Sequence, residues 1–354
     1  MNPLIGALLS TWRRFAAWVQ SHRHIRPVFV VLSRHWAETL AVICLVALVL
    51  AVNPPKLAGA FSHAKGMVVL LMVPVVIGTY VVRGIAWWFT LRCIGVKVTV
   101  RRALTVEFAG QVMVFLPLGD LARVAMLRAT TDATGPGPIT GTIAFQELVF
   151  MMMLGLGVLP RVVTNPGVAL LVVLMLVVHG VVFTVLSWQP AYRRARLFVE
   201  RIRVLRRFDK QLRELRPAFM ELWDPRAAVP VFVLQAIAAM LSFLLFYLAL
   251  QAMGVTTISF ITATFVMSLS YLLAGLSLIP GGLGAFEGLL TILLISNGVP
   301  AASAAAAGLL YRAFNDVFVG VMGAPFALRV RRLAKRREPP RGTRGRRSSA
   351  RAQA

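Results

Sequence analysis

Ionisable side chains sit inside several otherwise apolar stretches: Arg83, Glu107, Glu147, His179, Glu287, Arg312 and Asp316. A charge within a membrane span costs about 2.5–3.5 kcal/mol on insertion scales, so each is a functional candidate that needs a partner, water or a proton. Arg312 and Asp316 are four apart and share a helical face. They either neutralise each other or face a polar cavity, with Arg312 holding a phosphate by its fork of donors and Asp316 orienting it. Glu147 lies among Phe145, Phe150 and three methionines, too deep to reach an interface. Arg83 lies near enough to a span end for a stretched side chain almost to reach water. His179 reads as a hydrogen-bonded packing residue rather than a ligand.

The stretch Ser277 to Glu287 breaks the chain between two apolar runs. Pro280, Gly281, Gly282 and Gly284 cannot continue a helix cheaply and expose backbone N–H groups. A helix starting near Ala285 points its positive end into that break, where either a phosphate or Glu287 can sit. A simple tight turn is the alternative. Leu116-Pro117-Leu118-Gly119 echoes Ile279-Pro280-Gly281-Gly282. Paired interruptions in two halves of a chain point to a transporter's site. The expected substrate-binding set is therefore Arg312, Glu287, Glu147, Pro280, Gly281, Gly282, Gly284 and Asp316. Asp120 and Arg123, just past the first break, are expected at the cytoplasmic mouth of one shared cavity.

The elements that must position these residues are transmembrane helices. Of 354 residues, 58% are hydrophobic and only 14% charged, far from the quarter charged of a soluble domain; the mean hydropathy is +0.77. Apolar runs long enough to span lie at about 37–53, 67–90, 139–159, 167–188, 229–250, 258–279, 285–298 and 300–328, the seventh of them short. The segment 103–119 is apolar but contains Glu107 and Gln111. If it dips in and returns, the loops on one side hold 33 Lys/Arg and those on the other hold three, Lys56, Lys65 and Arg161. That imbalance satisfies the positive-inside rule. The predicted fold is an all-α integral membrane protein of about eight transmembrane helices plus a re-entrant segment, with a two-half pseudo-repeat left open. A re-entrant backbone must be buried in protein or line a cavity.

Domain boundaries follow from charge. Residues 1–36 form a cytoplasmic segment whose Leu4, Leu8, Trp12, Phe15 and Val19 lie on one helical face. Residues 37–328 form the membrane domain. Within it, 190–228 is a basic loop with Phe198, Ile202, Leu205, Phe208, Leu212, Leu215, Phe219 and Leu222 at helical spacing, read as an amphipathic helix lying on the lipid surface. Residues 329–354 read as a disordered basic tail. The net charge of +25 suits anionic lipid headgroups at the cytoplasmic face rather than nucleic acid. Two cysteines without a CxxC imply neither a disulfide framework nor a thiolate metal site, and no cofactor or metal is expected.

The run Ile279-Pro280-Gly281-Gly282-Leu283-Gly284-Ala285-Phe286-Glu287, then Gly298-Val299-Pro300, then an Ala-rich stretch to Tyr311-Arg312, resembles the second half of the lysylphosphatidylglycerol synthetase transmembrane-region family, a flippase-like membrane domain. Leu116-Pro117, with Gly119-Asp120-Leu121-Ala122-Arg123, is similar to that family's first-half pattern, although the Pro117-to-Gly119 gap is shorter than usual. Of the family's Glu-Arg…Asp element only Glu147 stands here, followed by Leu148. The spans are not followed by an aminoacyl-transferase domain, so the resemblance does not imply synthetase activity. It implies translocation of an anionic, modified, polyprenyl-linked or hopanoid lipid between leaflets of a bacterial cytoplasmic membrane, with both chain ends cytoplasmic.

A lipid-modifying membrane enzyme is the second reading and an accessory scaffold subunit the third. Against the enzyme, the sequence has no HExxH, acidic cluster, GxSxG or paired histidines.

Overall fold

The computed structural model describes residues 50, 54–113, 122–131, 135–161, 166–201, 209–276, 282 and 284–337. Most of these are helical, with no strand among them, and the chain is an all-α membrane protein. In chain order the helices are α1 (Pro54–Ser62), α2 (Gly66–Cys93), α3 (Val100–Gly110), α4 (Ala122–Thr130), α5 (Pro136–Gly155), α6 (Pro166–Ser187) and α7 (Gln189–Arg201). They continue as α8 (Asp209–Glu221), α9 (Pro225–Ala252), α10 (Phe260–Leu276), α11 (Ala285–Ser296), α12 (Ala301–Arg312) and α13 (Val319–Arg337). A π-helical segment, Ala313–Phe318, joins α12 to α13.

Among the described residues five helical stretches are long and apolar enough to cross a membrane: Gly66–Cys93, Pro136–Arg161, Pro166–Leu186, Pro225–Ala252 and Ala301–Arg336. They match the runs read at 67–90, 139–159, 167–188, 229–250 and 300–328. The run at 37–53 lies outside the described residues except for residue 50, as does the whole N-terminal amphipathic face.

The α2–α9 pair is the spine. The two helices run antiparallel, with the Lys65 N–H bonded to the Ala252 carbonyl (2.9 Å) at one end. Small residues let neighbours approach, as expected where dispersion rather than water exclusion drives helix association. Ala304, Ala305, Ala306 and Ala307 of α12 are all buried in the same apolar core as Phe246 and Leu250 of α9 and Leu290 of α11. Val229, Val233, Ile237 and Met240 form an exposed apolar stripe on α9, as do Leu170, Val173, Leu174 and Val177 on α6. In a membrane these stripes face lipid.

Two helical hairpins enter this bundle from opposite ends. α3 goes in and α4 returns beside it. Arg102 near the start of α3 bonds the carbonyl of Thr130 at the end of α4 (2.7 Å), while deeper in, Arg123 at the start of α4 meets Glu107 of α3. The segment read as dipping and returning therefore has both limbs ending at the basic end of the bundle. The second hairpin is α10 with α11, at 17 and 12 residues. At 1.5 Å per residue they reach about 25 and 18 Å, less than the roughly 30 Å of a bilayer core. The sequence presents them as two spans, the second of them short; their described parts are two limbs packed side by side that start and end opposite the basic end.

Two further differences concern the basic elements. The 190–228 loop forms two helices, and the second, α8, does not lie on lipid: Phe219 and Leu222 are buried against Phe145 and Val149 of α5. The glycines of α5 explain this docking, since a Cβ on Gly141 would stand 2.9 Å from the Leu215 carbonyl oxygen. The last helix runs to Arg337, beyond the boundary read at 328, because Phe326 and Val330 pack on α3 and its neighbours. The rest of the tail, 338–354, lies outside the described residues.

The contact of α13 with the first hairpin depends on Gly323, where a Cβ would meet the Phe108 carbonyl oxygen at 2.2 Å. Backbone cannot yield cheaply, and overpacking costs about 1–3 kcal/mol. Gly323→Val should lower the thermal unfolding temperature in detergent, while Gly180→Ala, with nothing within 4 Å of its Cβ, should leave it unchanged. Equal melting of the two variants would show that α13 does not pack this closely.

Candidate functional site

Each hairpin carries a buried ion cluster where its limbs turn. At the first, Glu107 of α3 is fully buried. Arg123 of α4 reaches it with Nη1 (2.6 Å to Oε2) and reaches Glu147 of α5 with Nη2 (3.1 Å to Oε1). Arg83 of α2 closes the ring, with Nη2 2.6 Å from Glu147 Oε1 and Nε 4.0 Å from Glu107 Oε1. Two guanidinium groups thus face two carboxylates. Aromatic faces cover the cations: Phe150 lies 4.4 Å from the Arg83 guanidinium and Trp87 5.6 Å from that of Arg123. Trp87 is held in turn by donating from Nε1 to Thr142.

Arg123 lies deep in the bundle rather than at its surface. Expected at the cytoplasmic mouth, it is 0% exposed. The return limb starts deep, so its first residues are interior rather than superficial. Gly110 allows this, because any Cβ there would collide with the Arg123 side chain at 2.5 Å. Arg83 likewise does not snorkel; it is spent on Glu147.

At the second hairpin Arg312 joins two carboxylates. Its Nε donates to Glu287 Oε1 (2.5 Å) and its Nη1 to Asp316 Oδ2 (2.8 Å). Asn315 donates to the other Asp316 oxygen (2.7 Å). The second Glu287 oxygen accepts the Gly284 N–H (2.7 Å), so Glu287 itself supplies the negative charge at the start of α11, the place where a phosphate was the alternative. Gly282 and Gly284 have φ of +61° and +79°, a left-handed geometry that glycine alone adopts without strain. The π-helical segment displaces the backbone beside Arg312, as such bulges often do at functional sites. The Asn315 carbonyl there accepts a hydrogen bond from the Tyr80 hydroxyl (2.9 Å).

Tyr80 ties the two clusters together. It is one helical turn from Arg83 on α2, its ring 6.0 Å from that guanidinium, while its hydroxyl bonds the segment carrying Asp316. Tyr271 and Tyr311 add hydroxyls 3.1 Å apart above Phe286.

Of the sequence-predicted residues, the structure brings Arg312, Glu287, Asp316 and Gly284 together, with Gly282 on the approach. Glu147 and Arg123 meet instead in the first cluster, so a single shared cavity is replaced by two paired clusters bridged by Tyr80. Pro280, Gly281 and Asp120 lie outside the described residues. Sequence reasoning missed the roles of Tyr80, Gln146 and Gln235. Gln146 donates to the Arg83 carbonyl (2.7 Å), and Gln235 is buried without a hydrogen-bond partner. The available signal was the same as for the charges: an amide in an apolar run. His179 behaves as expected, its Nδ1 2.8 Å from the Met175 carbonyl.

Removing one partner of a buried pair costs about 3–5 kcal/mol, because the other charge is left uncompensated. Arg123→Met should destabilise by that order in mixed-micelle unfolding, and adding Glu107→Gln should recover part of the loss. Arg123→Met unfolding like the wild type would mean that this ring does not hold the hairpin.

A curated relative named UPF0104 membrane protein, from Methanothermobacter thermautotrophicus, is 24% identical over 318 residues, covering 84% of this chain and 93% of its own. The family model described as the lysylphosphatidylglycerol synthase TM region matches residues 28–323. That match takes in the described limbs of both hairpins and every member of both ion clusters, and the chain belongs to this family.

Proposed function

We propose that the protein moves a phosphate-bearing lipid between leaflets. The observation carrying this reading is the placement of buried ion clusters at the turns of two hairpins that enter from opposite ends. Broken helices meeting mid-membrane are the architecture from which alternating-access sites are built. Each cluster can exchange partners with an anionic headgroup. Arg312 would pass its fork of donors from Glu287 and Asp316 to two phosphate oxygens, a geometry a guanidinium matches well. Gly282 and Gly284 let the headgroup approach backbone N–H groups. Glu147, whose side chain is 25% exposed, would be the counter-charge that opens first in the other cluster, releasing Arg123 and Arg83.

The lipid's apolar part also has a place. A cleft of ≈ 290 Å³ between α5, α9 and α10 is lined by Met153, Leu156, Met240, Phe243, Phe260 and Thr264. It lies in the half of the bundle away from the basic end and suits an acyl or prenyl chain. The basic end, with Arg101, Arg102, Arg193, Arg194, Arg329 and Arg332 among others, would face the cytoplasm by the positive-inside rule.

The test is leaflet-resolved transport in reconstituted vesicles, with fluorescent phosphatidylglycerol read by dithionite quenching. Wild type should accelerate exchange. Arg312→Lys should insert normally yet transport about tenfold more slowly or worse, since a point charge does not replace the fork and 1.4 kcal/mol is a factor of ten. A wild-type protein that moves no phospholipid, or full transport by Arg312→Ala, would overturn the reading.

A further inference from the structure

At the basic end, a cleft of ≈ 120 Å³ opens between the first hairpin and α13. It is lined by Thr99, Arg101, Arg102, Thr105 and Val106 of the entering limb, Thr130 at the end of the returning limb, and Arg329, Val330 and Leu333 of α13. Three guanidinium groups border it and no carboxylate does. None occurs in residues 95–106 or 317–337, and the carboxylates that flank those stretches, Glu107 and Asp316, are paired with Arg123 and Arg312. Arg102 is already oriented, its Nη1 fixed on the Thr130 carbonyl at 2.7 Å. Arg101 and Arg329 are exposed, one from each wall. Beneath them the floor is apolar, with Val106 and Val330 buried.

We infer that this cleft binds a phosphate group, held by Arg101 and Arg329 against the pre-oriented Arg102. The site is separate from both buried ion clusters and is not the transport site. Three like charges around one small cleft repel each other until an anion joins them, and guanidinium groups on different elements can bind two phosphate oxygens at once. Basic clefts between helices at the cytoplasmic surface suit phospholipid heads. The apolar floor gives the glycerol and first acyl carbons a surface that a free phosphate would not use. Because the walls belong to different elements, an occupant ties the first hairpin to the last helix. Anionic lipid thereby stabilises the arrangement that keeps Glu107, Arg123 and Glu147 paired.

The test is thermal unfolding of the full chain in detergent, titrated separately with short-chain phosphatidylglycerol, short-chain phosphatidylcholine and inorganic phosphate. The cleft variant is Arg101→Gln with Arg329→Gln. The control is Arg193→Gln with Arg194→Gln, which removes the same charge from exposed positions on α7. Wild type and control should be stabilised by phosphatidylglycerol at similar concentrations, and the cleft variant should need about tenfold more, as loss of two charge-assisted contacts implies. Stabilisation by phosphatidylglycerol alone assigns the site to lipid. Equal stabilisation by inorganic phosphate assigns it to the phosphate group of a soluble ligand. If the double variant does not fold, Arg101→Gln alone should show the same direction of change. A cleft variant that responds like wild type, a control that loses the response equally, or a wild type that responds to neither anion would overturn the site.

Discussion

A guanidinium buried in a membrane protein must meet a carboxylate, and that requirement organises this molecule. Arg83, Arg123 and Arg312 lie where water does not compensate them, and each is within hydrogen-bond distance of an acid on another element: Glu147, Glu107 and Glu287 respectively. The desolvation penalty is several kcal/mol per ion. It is offset only when geometry holds the partners close, so the ion pairs fix how α2, α3, α4 and α5 meet, and how α11 meets α12. Aromatic faces over Arg83, Arg123 and Arg312 exclude water and strengthen the same attractions.

The hairpins follow from a second requirement, that an interrupted backbone be satisfied by protein. Pro and Gly residues interrupt two apolar stretches, and the chain solves both cases by folding the limbs back on themselves inside the bundle. α2 serves both, because Tyr80 and Arg83 are one turn apart on one face. A change at one hairpin therefore has a physical route to the other: Arg83 leaving Glu147 frees the ring contact at Tyr80, whose hydroxyl bonds the π-helical segment beside Asp316. The two clusters differ in charge. Arg83 and Arg123 balance Glu107 and Glu147, whereas Arg312 faces both Glu287 and Asp316.

Much of this was legible in the chain and some could not be. Long apolar runs indicated the class of fold and the positions of the long described helices. The i, i+4 spacing made Arg312 and Asp316 neighbours. For the start of the helix after Gly284 the sequence left two occupants open, a phosphate or Glu287, and the structure places Glu287 there. Pairings across the bundle leave no trace in spacing: Arg83 and Glu147 are 64 residues apart. Arg123 was misplaced because a charged residue just after a Gly-Asp pair looks superficial, whereas the described return limb starts with Arg123 fully buried. That α10 and α11 pack side by side as two limbs was not legible, because apolar composition does not report which helix a span packs against. The docking of α8 on α5 rests on Gly137 and Gly141, whose value appears only once the partner helix is in place.

The fold and the proposed transport both require charges that are paired in the bilayer rather than neutralised by protons. Isotope-edited infrared spectroscopy of the protein in lipid bilayers at neutral pH tests this directly, by comparing wild type with Glu107→Gln. Loss of intensity from the ionised carboxylate stretch, with no change in the protonated carboxyl region, is the predicted result. Loss from the protonated region would mean that the first hairpin holds a neutral acid, and the ion-pair basis of the fold and of the proposed transport would fall.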